Sequence, residues 1–238
     1  MCGIAGLLRP TEFSPDELRG VLSQLKHRGP DGQSAITLRT ACHHLALCHA
    51  RLSIIDLTTA ADQPMIDEVT GCALIFNGEI YNYLDLRAEI SKVDPRPFTS
   101  TGDSEVLLRA YLIYGPHFIQ QLRGMFAFAL YDPRQQTLLL ARDHFGIKPL
   151  YYTQTGDTFA FASEVRTLFA VPCVSRRLHQ RGLLGYLSYG SVQEPDTLVE
   201  GIHSLPAGHY ALLDLRTTTL PAIYPQRFWR LPNHLDTH

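Results

Sequence analysis

The pattern of apolar and polar residues begins with a short apolar run over residues 2–8, which predicts a buried strand. Beyond it, Ser14 and Glu17 have the spacing of a capping box, and Pro15 suits the first position of a helix. Apolar residues then recur at the spacing of one buried helix face: Leu18, Val21, Leu22 and Leu25. The chain is therefore predicted to open with a strand and a helix that ends at Gly29-Pro30.

Most of the remaining chain predicts strands joined by short turns. Strand-like runs lie at 34–39, 44–50, 72–77, 125–132, 137–142, 149–153, 158–162 and 208–214. Helices are predicted at 83–90 and 104–114, with a short one starting at Ser163 and Glu164. Because helices and strands do not alternate strictly, the order favours an α+β domain with mostly antiparallel sheet. The pattern weakens after about residue 175, and residues 224–232 resemble a linker rather than a core element.

Composition narrows the class of protein. The 238 residues suffice for one domain with a sizeable core. A net charge of -2 without a basic cluster argues against a nucleic-acid or membrane-surface partner. No run of about 20 apolar residues predicts a membrane span, and the N-terminus does not resemble a secretory signal. The 5 cysteines are odd in number and irregularly spaced, which favours a reducing, cytoplasmic setting over a disulfide framework.

Cys2 is the sharpest chemical feature. Initiator methionine is usually removed before a small second residue, so the mature chain is expected to begin with Cys2. Its α-amine, with a pKa of about 7.7–8.0, can then accept the thiol proton and return it later. The alternative is a cysteine near a disordered terminus with no function. The apolar strand that follows directly favours an anchored terminus instead.

Six further motifs follow in a fixed order. They are HRGPD at 27–31, RLSIID at 51–56, FNGEIYN at 76–82, TGDSE at 101–105, GMFAFALYD at 124–132 and RDHFGIKPLYY at 142–152. Together with Cys2-Gly3-Ile4, this set resembles class II glutamine amidotransferases. It is most similar to the N-terminal glutaminase domain of glutamine-dependent asparagine synthetases. The similarity runs from Cys2 to about Glu164 and continues weakly through 205–210.

The resemblance implies an N-terminal-nucleophile hydrolase fold, in which two packed antiparallel sheets lie between helical layers. It implies an amidotransferase domain over residues 2–210, with a core at about 2–170. Residues 211–238 would then be a terminal strand and a linker toward a synthetase domain. The implied reaction is hydrolysis of L-glutamine to glutamate and ammonia through a thioester on Cys2. The ammonia would serve ATP-dependent asparagine synthesis, or a related amidation, by another domain or partner.

The resemblance also implies roles for individual residues. Cys2 would be the nucleophile, and the Asn77 side chain with the Gly78 backbone N–H would form the oxyanion hole. Arg51 would bind the α-carboxylate of glutamine. Its α-ammonium would be bound by Asp103 and Glu79, and further contacts would come from Leu52, Ser53, Ile54 and Ile55.

Each of these residues has a simpler interpretation. Asn77-Gly78 is a strong hairpin-turn signal when taken alone. Arg51 is an ordinary candidate for a surface salt bridge, and Glu79 for a solvated charge. Asp103 could cap the helix that follows it.

Other motifs are expected to be structural. Arg142-Asp143 and residues 146–149 would organise a turn and an ion pair behind the site, and His27-Arg28 would shape a loop near Cys2. A metal site is not expected at Cys42, His43, His44, Cys48 and His49. Their spacing differs from paired zinc ligands, and neighbours on one strand point to opposite faces.

The sequence contains no run of the form Ser-Gly-Gly-x-Asp-Ser and no Walker-type loop. No cofactor is therefore expected for this chain, and ATP and Mg²⁺ are expected only for a synthetase domain. Either the chain is a fragment of a longer enzyme, or it acts with a separate partner; a homodimer stays open. Two other functions compete: an acylase-like hydrolase acting on a different amide, and a module that binds glutamine without turnover.

Overall fold

Two antiparallel sheets of 6 strands each form the centre of the molecule. The computed structural model describes residues 1–172, 174–220 and 222–232. The strands are β1 Gly3–Arg9, β2 Gly32–Arg39, β3 His44–Arg51, β4 Met65–Ile66, β5 Ala73–Ile80, β6 Gly124–Asp132, β7 Thr137–Arg142, β8 Tyr151–Thr155, β9 Thr158–Ala162, β10 Ile202–Ser204, β11 His209–Asp214 and β12 Gln226–Arg227. The helices are α1 Pro15–Leu25, α2 Tyr83–Val93, α3 Asp103–Tyr114, α4 Val165–Leu168 and α5 Gln180–Tyr189, with 3₁₀ turns at Thr59–Ala61 and Gly115–Gln121.

The strand order is β10-β8-β9-β1-β3-β2 in the first sheet and β12-β11-β7-β6-β5-β4 in the second. Alternation along the strands sends one set of side chains between the sheets. Ile4 and Leu47 of the first sheet meet Ile75 and Ala129 of the second in one fully buried cluster. The opposite faces pack against helices: α1 and α4 cover the first sheet, and α2 and α3 cover the second. These layers confirm the predicted α+β sandwich.

The loop after α1 carries the chain back toward the N-terminus. The capping box is present: Ser14 Oγ accepts from the Glu17 N–H at 3.2 Å, and the Glu17 carboxylate accepts from the Ser14 N–H at 2.8 Å. At Gly29 a Cβ atom would stand 2.1 Å from the Ala50 carbonyl carbon. Only glycine permits this approach, so the loop lies directly on β3 and sets Arg28 beside the N-terminus.

The C-terminal segment corrects one expectation. The interpretation of 224–232 as a linker is wrong for Gln226–Trp229. β12 pairs with β11, and the Phe228 ring lies 6.3 Å from that of Phe126. The signal was missed because a two-residue strand has no periodicity of its own. β11 also crosses the expected domain boundary at residue 210, which stays a prediction. Residues 233–238 of the expected linker lie outside the described residues, as does Cys173.

Two further secondary-structure elements lie after residue 175, where the pattern of apolar and polar residues is weak. The structure forms helix α5 and strand β10 there, neither of which the pattern predicted. Helix α5 leaves Leu184, Leu187 and Tyr189 exposed, so it lacks the one-sided apolar stripe that marks a buried helix. Among the described residues, no helix has the length and apolar character needed to cross a membrane.

Candidate active site

A pocket opens where the ends of β1, β3 and β5 meet. Gly3 pairs with Ala50, so Cys2 comes next to Arg51 at the end of β3. Leu45 and Leu47 face the second sheet, and alternation sends His49 and Arg51 to that same side. The N-terminus and the end of β3 therefore face the second sheet.

Strand β5 presents its side chains to the same space from the second sheet. Ala73 and Ile75 face the first sheet, so Asn77 and Glu79 follow them by alternation. The pocket contains every residue to which the resemblance assigns a role: Cys2, Arg51, Leu52, Ser53, Ile54, Ile55, Asn77, Gly78, Glu79 and Asp103. Residues that lie up to 101 positions apart in the sequence thus share one cavity.

The Cys2 thiol is held by the loop that follows β3. Its Sγ lies 3.5 Å from the Leu52 carbonyl oxygen and 3.4 Å from the Leu52 nitrogen. Arg28 Nε donates to the Cys2 carbonyl at 2.9 Å, which fixes the backbone. Burial raises the pKa of the Cys2 thiol, while the Leu52 N–H and the cations of Arg51 and Lys148 oppose this shift. The thiol is therefore protonated at neutral pH and needs a base before it can attack.

Asn77 is buried and has no hydrogen-bond partner. The residue is 1% exposed, and neither Oδ1 nor Nδ2 bonds to any described group. The hairpin-turn interpretation is wrong, because Asn77 lies inside β5 opposite Ala127. An unpaired buried amide costs on the order of 1–3 kcal/mol. Its Nδ2 is a donor available to a ligand in the pocket.

The backbone of β5 offers a second donor at Gly78. In an antiparallel ladder, alternate N–H groups point to the same edge of the strand. The Phe76 N–H donates to Gln63 Oε1 at 2.6 Å, and the Ile80 N–H donates to Asp103 Oδ2 at 2.9 Å. The Gly78 N–H lies between them and shares their direction. It therefore points away from β6 and toward the pocket.

Gly78 is also required by packing. A Cβ atom there would stand 2.3 Å from the Met125 carbonyl oxygen and 2.7 Å from the Phe126 Cα. These are backbone atoms of the neighbouring strand, so they cannot move aside as a flexible side chain would. The glycine keeps β5 close to β6 and its N–H in place.

Arg51 forms a salt bridge and also lines the pocket. Its guanidinium pairs with Asp62 and donates to the carbonyls of Asp56 at 2.6 Å and Thr58 at 3.0 Å. The side chain is nevertheless only 12% exposed and lines the pocket. The salt bridge is real, and it fixes the plane of the guanidinium at the edge of the cavity.

Asp103 is a buried carboxylate at the start of α3. The N-cap of this helix is Gly102, so the capping interpretation of Asp103 is wrong. Burial raises its pKa to about 6, and the charge of Glu79 adds to this shift, while the bond from the Ile80 N–H opposes it. Among the described residues, no Lys or Arg lies within salt-bridge distance of Asp103 or Glu79. The two carboxylates therefore line the pocket without an ion-pair partner in the described part of the chain.

Sequence reasoning missed five polar residues of the pocket: His49, Asp56, Gln63, Ser104 and Lys148. Alternation with Arg51 on β3 could have indicated His49. Its Nε2 lies 3.3 Å from the Phe76 carbonyl oxygen, and burial lowers its pKa to about 4, so the ring is neutral at pH 7. Lys148 belongs to the 142–152 motif, which had been interpreted as wholly structural.

That motif does organise a turn, as expected. The Asp143 carboxylate is fully buried and accepts four backbone N–H groups, from Phe126, Phe145, Ile147 and Lys148. The expected ion pair involves a different partner, because Arg142 pairs with Glu194 across the turn. The sequence could not reveal this partner, which lies 52 residues further along the chain.

The other motifs fall outside the pocket chemistry. Glu164 accepts from Arg28 Nη1 at 2.9 Å and contacts His27 Nε2 at 2.7 Å, so both residues shape the loop near Cys2 as expected. In the part of the chain that the structure describes, no three His, Cys, Asp or Glu side chains are grouped as metal ligands.

A family model described as "Glutamine amidotransferase domain" matches residues 1–229. The chain belongs to this family. The amidotransferase domain is 36% identical over 213 residues to asparagine synthetase [glutamine-hydrolyzing] 1 of Bacillus subtilis, a match that covers 87% of this chain and 33% of that protein. It is 35% identical to the amidase chry2 of Gibberella zeae, covering 83% of this chain and 28% of that protein. The domain thus spans about a third of the length of these relatives.

The fold of the amidotransferase domain is shared with a solved amidotransferase. Glutamine phosphoribosylpyrophosphate amidotransferase of B. subtilis superimposes with a TM-score of 0.67 at 17% identity, covering 96% of this chain and 49% of that one. This likeness confirms the N-terminal-nucleophile sandwich.

Proposed function

We propose that the domain hydrolyses L-glutamine with Cys2 as the nucleophile, after removal of Met1. The observation that carries this proposal is the buried Asn77 amide, which has no partner and lines the same cavity as the Cys2 thiol. A substrate whose developing oxyanion accepts from Asn77 Nδ2 and the Gly78 N–H satisfies both donors. Such a donor pair contributes several kcal/mol to stabilisation of the transition state.

The chemistry follows from two groups on one residue. The α-amine of Cys2 takes the thiol proton, and Sγ attacks the side-chain carbonyl carbon of glutamine. As the tetrahedral intermediate collapses, the C–N bond breaks, and ammonia leaves with the proton that the α-amine returns. A water molecule deprotonated by the same amine then attacks the thioester. The C–S bond breaks, which releases glutamate and restores the thiol.

The charges in the pocket match those of an amino acid. In this proposal the Arg51 guanidinium binds the α-carboxylate, and Asp103 with Glu79 binds the α-ammonium. The residues 52–55 contribute further contacts along the substrate. A simple acyl amide has no such pair of charges, which makes an acylase the weaker candidate.

The ammonia is proposed to serve ATP-dependent asparagine synthesis or a related amidation. Relatives named as glutamine-hydrolysing asparagine synthetases support this, and each is longer than the present chain. A synthetase domain or a separate subunit would bind ATP, Mg²⁺ and the ammonia acceptor. The glutaminase site needs no cofactor of its own. A free catalytic thiol suits a reducing compartment, so we place the enzyme in the cytoplasm.

Release of glutamate from glutamine tests the proposal. Cys2→Ala is expected to abolish hydrolysis, whereas Cys42→Ala, a substitution of the same size outside the pocket, is expected to leave it intact. A panel of acyl amides should be turned over poorly relative to glutamine. Full activity in Cys2→Ala, or a preference for simple acyl amides, would show that the proposal is wrong.

A further inference from the structure

Lys148 places a cation inside the pocket that no assigned role uses. The residue is 5% exposed, and its Nζ lies 3.4 Å from the Met1 Sδ atom, next to Cys2. The other two lysines of the chain, Lys26 and Lys92, are exposed on helices or their ends. A buried lysine is uncommon and needs a reason.

The backbone of Lys148 is fixed from both sides. Its N–H donates to Asp143 Oδ2 at 2.9 Å, and its carbonyl accepts from Arg142 Nε at 3.0 Å. Asp143 already accepts four backbone N–H groups, and these donors stabilise its negative charge. Among the described residues, no carboxylate lies within salt-bridge distance of the Lys148 ammonium. The turn therefore holds an unpaired cation at the N-terminus.

We propose that Lys148 is a positioning residue for proton transfer, because its buried ammonium favours the neutral α-amine and the thiolate of mature Cys2. This inference rests on the proposed function, since it presumes that Cys2 is the N-terminal nucleophile. The cation does not touch the scissile amide. It acts through the two titrating groups of Cys2, and its effect appears in the pH dependence of the reaction.

The surrounding charges define the sign of the effect. A cation disfavours a second positive charge and stabilises a negative one nearby, so it lowers the pKa of both an amine and a thiol. In the chain that still carries Met1, burial lowers the pKa of the Met1 α-amine, and the cations of Arg28, from the loop before β2, and Lys148 lower it further. Asp31 from the same loop and the Cys2 thiolate raise the pKa of that Met1 amine. The proposal takes the same charges to act on the Cys2 α-amine once Met1 is removed. On the lysine, burial and Arg28 lower the pKa, while Cys2, Glu79 and Asp143 raise it.

The pH profile of kcat/KM for glutamine hydrolysis is the test. Lys148→Met is expected to shift the acidic limb upward by about one pH unit, a typical effect of one nearby charge. Activity near pH 6 should then fall about tenfold, while the plateau at higher pH is kept. Lys148→Arg should restore the wild-type limb, because it restores the charge. Lys92→Met, which removes the same charge from the exposed face of α2, should leave the profile unchanged.

The outcomes separate this inference from the proposed function. Wild-type protein that neither hydrolyses glutamine nor depends on Cys2 overturns both. Active wild-type protein with an unshifted acidic limb in Lys148→Met overturns the inference alone. If Lys148→Met is unfolded by circular dichroism, the comparison of Lys148→Gln with Lys148→Arg decides, since these variants keep a polar group. A uniform loss of kcat at every pH, not rescued by arginine, would mean a structural role and overturn the inference.

Discussion

Replacing Asp103 with asparagine tests whether the buried charge that is proposed to bind substrate lowers the free energy of unfolding. Asp103 is 6% exposed, and its carboxylate accepts the Ile80 N–H at 2.9 Å. An asparagine Oδ1 can accept the same bond, so the substitution removes mainly the charge. The carboxylate is buried without a cation, and its ionised form is therefore expected to cost the fold free energy.

The size of this cost follows from the shifted pKa. Burial raises the pKa of Asp103 from 3.8 to about 6, and two pKa units correspond to ~3 kcal/mol. The folded state binds the proton more tightly, so the stabilisation is fully present below about pH 4. It is lost as the pH rises through about 6. Asp103→Asn should therefore be more stable than wild type by up to ~3 kcal/mol at pH 8, and the difference should vanish toward pH 4.

Thermal unfolding between pH 4 and 8 measures the effect. For a chain of this length the full gain corresponds to a rise in Tm of roughly 6–12 °C at pH 8. The same variant should raise KM for glutamine, because the α-ammonium loses an anionic partner. Glu89→Gln removes a carboxylate from the exposed face of α2 and should show neither change. An Asp103→Asn variant that is less stable at pH 8, or a difference that does not depend on pH, would refute the reasoning.

Three further substitutions probe the rest of the site. Asn77→Ala should lower kcat by about 10²–10³-fold without lowering Tm, because the amide makes no hydrogen bond in the folded protein; a large loss of Tm with kcat retained would contradict this. Arg51→Lys should raise KM for glutamine at least about tenfold, since an ammonium lacks the planar fork, and steady-state kinetics showing an unchanged KM would exclude Arg51 as the carboxylate site. Gly78→Ala should destabilise the domain by about 2 kcal/mol or more in urea unfolding, because its Cβ would meet the backbone of β6; wild-type stability would show that the strands can separate at no cost.

The layers of the fold were predictable where local patterns are strong. A few consecutive residues are enough to predict the capping box at Ser14 and the long apolar strands. The two-residue strands β4 and β12 do not, because their pairing depends on partners far along the chain. Helix α5 was missed because Leu184 and its apolar neighbours remain exposed, which removes the amphipathic signal.

The site was predictable through its ordered motifs rather than through single residues. Asn77-Gly78 alone indicates a turn, and only the place of β5 between its neighbours shows that the amide is unpartnered. Lys148 lacked any local signal that separates a pocket residue from a structural one, and His49 had only its alternation with Arg51 on β3. Their positions depend on the turn held by Asp143 and on the contact between the two sheets, which no short stretch of sequence encodes.

The central claim is that Cys2 is an N-terminal nucleophile in a glutamine-shaped pocket. Intact mass measured before and after exposure to an electrophilic glutamine analogue tests it most directly. The account predicts a chain that lacks Met1 and gains one adduct, which peptide mapping places on Cys2 and which excess glutamine prevents. A retained Met1 in active protein, or an adduct on Cys42, Cys48 or Cys72 with Cys2 unmodified, would contradict it.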